Sequence, residues 1–379
     1  MTRTVCIVQR RLTHYRLPLF EHMRSNLAAQ DVRLRLLHGE PTAAERSKND
    51  QGHLDWAEAL PTQYWLNGRI CWQPFMPLAS GSDLVIVTQE NKQINNLLAL
   101  VKPWRQGQLA FWGHGRNMQA PHPDGARERF KRWTTQRVDW WFAYTELSAT
   151  FVRADGFRAD RITVLNNSID TAELRQSVLL ARQTPRVQLR AALGLHPAGP
   201  VGVFLGSLYS DKRIAWLLQA AQIIQAQLPG FQLAVAGDGP DRALVQAAAA
   251  QSDHIVYLGS VRGERKAQLL VAADVMLNPG LVGLGVLDAF VAGLPMLTTD
   301  CHLHSPEIAY LEPGENGVMT ADDLPTYVNA TVQLLQDPST MARLQAGAAR
   351  AGQAYSVEHF ANRFSEGILK CLERGPHRA

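Results

Sequence analysis

The sequence predicts an α/β protein built from two doubly wound, parallel-sheet domains, and three observations carry that prediction. Short apolar runs alternate with helix-like segments from Thr4 to Leu165, the pattern of strands covered by helices on both faces. A polar stretch punctuated by Pro185, Gly194, Pro197, Gly199 and Pro200 breaks the pattern, which then resumes from Val201. A chain of 379 residues is long enough for two domains with substantial cores.

In the first half, strands are expected at Thr4–Val8, Val32–Leu37, Ile70–Gln73, Leu84–Thr88, Gln108–Trp112, Trp140–Tyr144 and Ile162–Leu165. Arg16–Leu27 and Asn91–Val101 are the clearest helices, while Pro41 to Trp65 is polar and irregular and reads as a loop over a ligand cleft. In the second half, strands are expected at Val201–Leu205, Gln232–Ala236, Ile255–Leu258, Val275–Leu277 and Met296–Thr298, and a helix at Leu324–Gln336. The domain reading is therefore 1–170, a linker at 171–199, a second domain at 200–350 and a terminal helix at 351–379. Tyr355, Phe360, Phe364, Ile368 and Leu372 share one face of that helix, which must pack on something and is expected to cross back to the first domain. Open sheets of this kind bind ligands at the carboxyl ends of their strands, which makes a cleft between the two domains the expected site.

Composition narrows the function classes. Hydrophobic residues make up 46% and charged residues 19%, which describes an ordinary folded protein. Lys plus Arg, 38, exceeds Asp plus Glu, 34, by 4; that excess suits an anionic small ligand or an anionic membrane surface and is too weak to argue for nucleic acid. Cys6, Cys71, Cys301 and Cys371 lie far apart, without metal-ligand spacing, and read as reduced thiols of a cytosolic chain. The apolar strand after Met1-Thr2-Arg3 is too short for a signal peptide or a span, so the expected location is cytoplasmic, with any membrane contact peripheral.

The stretch from Asn278 to Pro295 organises the second half. An apolar run ends at Leu277, Gly280, Gly283 and Gly285 follow, and a helix is expected from Val286 to Ala292, stopped by Gly293-Leu294-Pro295. Open amides at such a helix start hold anions, and Asp288 is placed to accept from a sugar hydroxyl. Equally, Gly283 and Gly285 serve only tight strand-to-helix packing, with Asp288 a solvated first-turn acid. Upstream, the loop Gly206-Ser207-Leu208-Tyr209-Ser210-Asp211-Lys212-Arg213 carries two adjacent cations suited to a diphosphate, or is an ordinary solvated loop. Ala236-Gly237-Asp238-Gly239-Pro240 reads as a tight turn.

Taken in order, Phe204-Leu205-Gly206 with Lys212, Ala236 to Pro240, Val256-Tyr257-Leu258-Gly259, Asn278 to Pro295, Pro306-Glu307-Ile308 and Gly314-Glu315-Asn316-Gly317 resemble the carboxyl-terminal domain of family-4 retaining glycosyltransferases. These have the GT-B fold, two Rossmann-like domains facing a central cleft. The first domain resembles them less, at Trp112-Gly113-His114-Gly115, Tyr144-Thr145-Glu146 and Asn166 to Asp170. The resemblance implies transfer of a sugar from a nucleotide donor with retention at the anomeric carbon, with no metal ion and no cofactor. It implies that Lys212, with Arg213 and the Gly206 loop, neutralises the donor diphosphate, and that Gly283, Leu284 and Gly285 hold phosphate and sugar. It further implies that Asp288 binds the ribose, that Leu258 and Gly259 meet the base, and that His114 lies near the donor sugar. Glu307 either contacts that sugar or caps a helix behind Ser305.

Three departures matter. Gly280 stands where the family has the first of two glutamates, and Asp288 is shorter than the second; Ser207 stands where an arginine is usual. The first strand runs into Gln9-Arg10-Arg11-Leu12-Thr13-His14-Tyr15-Arg16 instead of a glycine-rich turn. Arg10, Arg11, His14 and Arg16 either recognise a phosphate on a lipid-linked or lipopolysaccharide acceptor, with Tyr15 stacking on a sugar, or form a solvated loop and helix start. Arg127 to Trp133 and Trp140-Trp141 interleave cations with aromatics, as suits an anionic membrane, or as core. His302 and His304 flank Leu303 beside Cys301, and no metal is assigned to them. Two other functions compete with transfer: nucleotide-sugar epimerisation or hydrolysis, and a catalytically weak binding or scaffold subunit of a glycan assembly complex.

Overall fold

The computed structural model describes residues 2–46, 50–90, 92–101, 107–115 and 126–376. Two compact units emerge. One holds the chain up to Asp170 together with the segment from Val357 onward, and the other runs from Thr171 to Ser356.

The strands of the first unit are β1 (Arg3–Gln9), β2 (Val32–His38), β3 (Glu58–Ala59), β4 (Gln63–Trp65), β5 (Ile70–Trp72), β6 (Leu84–Thr88), β7 (Gln108–Gly113), β8 (Trp140–Ala143) and β9 (Ile162–Val164). Seven make one parallel sheet in the order β3-β2-β1-β6-β7-β8-β9. Its inner strands read as unbroken apolar runs because helices cover both faces, and Val5, Ile7, Ile86, Ala110, Trp112 and Phe142 are buried. Ile70–Trp72 departs from expectation: it pairs antiparallel with β4 in a separate two-stranded ribbon. The Pro41–Trp65 region is also more structured than a loop, since it contains the edge strand β3 and the strand β4. The helix expected at Asn91–Val101 covers Ile94–Leu98, and Asn91 lies outside the described residues.

The helix Val357–Arg374 completes this unit. Phe360, Phe364, Ile368 and Cys371 are buried along one face, against the helix Leu17–Ala28 and strands β8 and β9. Gly367 lets it lie flat, because a Cβ there would stand 2.5 Å from Thr163 Oγ1. Each of the large apolar side chains contributes roughly 1.5–3 kcal/mol by leaving water. Tyr355, expected on the same face, belongs to the second unit and stacks on Tyr310 at 4.0 Å.

The second unit adds β10 (Val201–Leu205), β11 (Gln232–Ala236), β12 (Ile255–Gly259), β13 (Val275–Leu277), β14 (Met296–Thr299) and β15 (Gly317–Thr320), all parallel in the order β12-β11-β10-β13-β14-β15. The segment 171–199, expected as a linker, folds into helices Ala172–Ala181 and Arg186–Ala192 packed on the helix Gly263–Ala272. Arg186 and Arg190 both reach Asp274, each at 2.9 Å, which fastens this segment to the start of β13. The prolines and glycines that suggested a linker mark the turns around these helices. Among the described residues, no helix is long and apolar enough to cross a membrane.

Candidate functional site

In the second unit the chain leaves β10 toward β11 on one side and later enters β13 on the other. The carboxyl ends of β10 and β13 therefore flank the topological switch point, where open α/β sheets take their ligands. The loop after β10 carries Lys212 and Arg213, and the loop after β13 runs from Asn278 to Leu284, with Gly285 opening the next helix.

These two loops are fused. The Leu281 amide donates to the Asp211 carbonyl at 2.8 Å, and Lys212 Nζ donates to the Leu281 carbonyl at 2.5 Å. Arg213, in the left-handed region at φ 58°, reaches the Pro279 carbonyl, Thr299 Oγ1 and Asp322, with its guanidinium 4.9 Å from the Trp216 ring. Burial pushes the Lys212 ammonium pKa down to about 8, against the opposing pull of Asp211.

Gly280 explains why no glutamate stands there. A Cβ at that position would lie 2.2 Å from the Asp211 carbonyl oxygen and 2.8 Å from Lys212 Cα. Gly237 and Gly239 are packing glycines too, since a Cβ at either would strike the carbonyl of Gly206 or Leu208. That contact also places Gly206 and the turn Gly237–Pro240 side by side, with Gly206 donating to the Ala236 carbonyl.

Gly283 and Gly285 are different. Neither has a positive φ; a Cβ on Gly283 would make only ordinary contacts, and around a Cβ on Gly285 no atom of the described residues lies within 4 Å. Neither glycine is therefore required by a clash or by its backbone conformation, and Gly285 faces space that no described residue fills. The amides of Gly283, Leu284 and Gly285 come before the first helical hydrogen bond of Gly285–Val291, and no turn or loop acceptor among the described residues takes them up.

Asp288 sits in the first turn of that helix, but its carboxylate is not a lone acid. Lys266, from the first turn of Gly263–Ala272, bonds Asp288 Oδ1 at 2.6 Å. Burial raises the Asp288 pKa, and Lys266 opposes that shift and favours the ion. Sequence reasoning missed Lys266, for no motif marks a lysine 22 residues from its partner. Leu258 and Gly259 close β12, where Gly259 turns at φ 65° and its carbonyl accepts from Gly237. Glu307 is buried, at 3% exposure, in the short 3-10 turn Pro306–Tyr310; Ser305 makes no side-chain cap there. His302 is exposed beside Asp300, and no cluster of metal-ligating side chains occurs among the described residues.

In the first unit, β1 and β6 flank the corresponding switch point. Arg10 and Arg11 follow β1 but do not present free guanidinium groups. Arg10 forms a two-pronged pair with Glu45, at 2.6 and 2.9 Å, and also reaches Tyr64; Arg11 pairs with Asp50 at 2.6 and 2.8 Å. The Arg10 bond holds the Glu45 carboxyl well below the usual carboxylate range. Their charge is balanced locally by these carboxylates. Arg16 lies in an aromatic box, 4.7 Å from Trp112 and 5.5 Å from Tyr144, and donates to the Tyr144 hydroxyl. His14 and Tyr15 remain exposed.

His114 follows β7 with its ring centroid 4.4 Å from that of Tyr144. Protein packed around the ring strips its hydration and, with Lys131 and Arg16 nearby, pushes its pKa down to about 4. His114 as a whole keeps solvent exposure, and its lowered pKa leaves the imidazole neutral at pH 7. Phe130 and Trp133 stack on each other and are exposed, with Arg137 over the Trp133 ring at 3.9 Å, whereas Trp140 and Trp141 are core. The side chains of Arg127 and Glu128 lie outside the described ones.

Residues 199–337 match the family model described as glycosyl transferases, group 1. The chain is 26% identical to the 2-deoxystreptamine glucosyltransferase of Streptomyces kanamyceticus over 240 residues, 61% of this chain and 60% of that protein. It is 27% identical to the D-inositol 3-phosphate glycosyltransferase of Nocardia farcinica over 351 residues, 87% of this chain and 69% of that one. Among solved structures, Anabaena HepE in complex with UDP superposes with a TM-score of 0.67 at 18% identity, covering 97% of this chain and 99% of that one. The chain is a homologue of glycosyltransferases, and its two Rossmann-like units have the GT-B glycosyltransferase fold.

Proposed function

We propose that this chain, a relative of the group 1 glycosyl transferases, moves a sugar from a nucleotide donor to a glycan or lipid-linked saccharide, retaining the configuration at the anomeric carbon. One observation carries the donor half: three open amides, at Gly283, Leu284 and Gly285, stand beside unfilled space in a loop joined directly to the half-desolvated Lys212. Together they offer the charge and hydrogen bonds that a diphosphate needs, in the place where a metal ion would otherwise supply them. The reading is accordingly metal-independent and cofactor-free.

As the acceptor oxygen bonds to the anomeric carbon, the bond from that carbon to the phosphate oxygen breaks, and the acceptor proton passes to the departing phosphate on the same face. Lys212 and the three amides stabilise the charge that develops there, and no side-chain nucleophile is required. Arg213 braces the Lys212 loop. Asp288 receives the ribose, Leu258 and Gly259 border the base, Glu307 supports the sugar end, and neutral His114 hydrogen-bonds to sugar.

The acceptor half belongs to the first unit, with exposed His14 and Tyr15 as sugar contacts. We assign the protein to bacterial surface polysaccharide or lipopolysaccharide synthesis on the cytoplasmic side of the membrane. Exposed Phe130 and Trp133 among cations support a peripheral contact with anionic lipid. A second reading, a subunit that binds nucleotide sugar without turnover, draws on Gly280 and on the partnered Asp288.

A thermal-shift screen against UDP-, GDP-, ADP-, CMP- and dTDP-sugars, with and without chelator, tests the donor site. One nucleotide class should raise the melting temperature in a chelator-insensitive, concentration-dependent way. In acceptor assays, Lys212→Ala should then cut turnover at least about tenfold. No shift with any donor refutes the reading, and a shift without turnover on any acceptor moves it to the second.

A further inference from the structure

His304 is buried, at 4% exposure, between β14 and the Pro306–Tyr310 turn, and plays no part in the chemistry above. Its Nδ1 lies 3.1 Å from the Val282 amide nitrogen, and its Nε2 lies 2.7 Å from the Thr299 carbonyl oxygen. An amide can donate only to an unprotonated ring nitrogen. Nδ1 is therefore the acceptor, and Nε2 carries the proton and donates to Thr299. Both nitrogens are occupied, which leaves neither for a metal ion.

Val282 is gripped at its other end as well, because its carbonyl accepts from the Ser305 amide at 2.9 Å. The preceding residue is saturated too: the Leu281 amide donates to Asp211, and its carbonyl accepts from Lys212 and from Asn278 Nδ2. The open amides begin immediately afterwards, at Gly283. Two residues with both backbone groups bonded thus hold the base of a loop whose next three donors meet no acceptor among the described residues.

We propose that His304 is a positioning residue for the donor diphosphate: by tying Val282 to the end of β14, it fixes the direction in which the Gly283, Leu284 and Gly285 amides point. The inference rests on the donor-site reading above. Such preorganisation raises affinity because the loop is ordered before the ligand arrives, so the ordering cost falls on folding instead of binding. The Gly283 and Gly285 positions, without side chains, depend on this external tie more than a packed loop would.

Two near-isosteric variants separate positioning from simple core packing. Asparagine at 304 puts an amide oxygen where Nδ1 stands and keeps the Val282 bond, whereas glutamine reaches the Nε2 position and keeps only the Thr299 contact. Affinities of wild type, His304→Asn and His304→Gln for UDP, GDP and ADP would be measured by calorimetry, below each variant's unfolding transition. For the diphosphate that wild type binds, His304→Asn should stay within about threefold, and His304→Gln should lose about tenfold, the scale of one hydrogen bond. Equal affinities in all three folded proteins, whatever their stabilities, would overturn the inference alone. A wild type that binds none of the three diphosphates would overturn the donor-site reading, and this inference with it.

Discussion

Gly280 lies against the backbone of Lys212: a Cβ at position 280 would stand 2.8 Å from Lys212 Cα and 2.2 Å from the carbonyl oxygen of Asp211. The missing acid and the retained lysine are thus one arrangement. The close approach that glycine permits lets Lys212 Nζ reach the Leu281 carbonyl and draws the two strand-end loops together.

Restoring an acid at this position should therefore damage the protein. Gly280→Glu must push the Asp211–Lys212 backbone away, and we expect a loss of about 3 kcal/mol, the upper range for overpacking. The denaturant midpoint of Gly280→Ala, which brings the same Cβ without the carboxylate, should fall by a similar amount. A stable Gly280→Glu protein would show that the loops part easily.

Lys266 and Asp288 should behave as a unit. Lys266→Met leaves Asp288 largely buried with its carboxylate uncompensated, and should cost roughly 1–3 kcal/mol, less than a fully buried pair because both groups keep some solvent. Adding Asp288→Asn should recover part of that loss. Chemical denaturation of the two single variants and the double variant gives the coupling directly, and additive losses would mean the pair contributes nothing.

Lys212 sets a pH dependence for donor binding. Its pKa in the free protein is pushed down to about 8, and a bound diphosphate favours the ammonium, which raises that pKa in the complex. Between the two values, binding takes up a proton. Nucleoside diphosphate affinity should accordingly hold near pH 7 and fall as pH rises above 8, by up to about tenfold per unit. In Lys212→Met, binding should be weaker and this fall absent; a fall that persists there belongs to another group.

Much of this architecture was legible in the sequence, because a parallel sheet covered on both faces requires unbroken apolar strands. Leu84–Thr88, Val201–Leu205 and Gln232–Ala236 lie where those runs do, and the helix Leu324–Gln336 follows its periodicity. Ile70–Trp72 misled because a short apolar run looks alike in a central strand and a ribbon. Glu58–Ala59 carries no apolar signal, and β15 hides inside a glycine motif. Contacts between distant residues were invisible: Arg10 with Glu45, Lys266 with Asp288, and Gly280 with Asp211 depend on loops meeting in space. The same limit hid the surroundings of Gly283 and Gly285, which differ although the two glycines are only two residues apart.

Gly285 offers the most direct test of the donor site. Its missing Cβ opens onto space free of atoms from the described residues, and its φ is not positive, so Gly285→Val should fold with an unchanged melting temperature. The added side chain would occupy the place assigned to donor phosphate and sugar. Calorimetric titration with the preferred nucleotide sugar should show affinity reduced at least about tenfold relative to wild type, a change of about 1.4 kcal/mol. Undiminished affinity in a fully folded Gly285→Val protein would contradict the account and move the donor away from the Asn278–Gly285 segment.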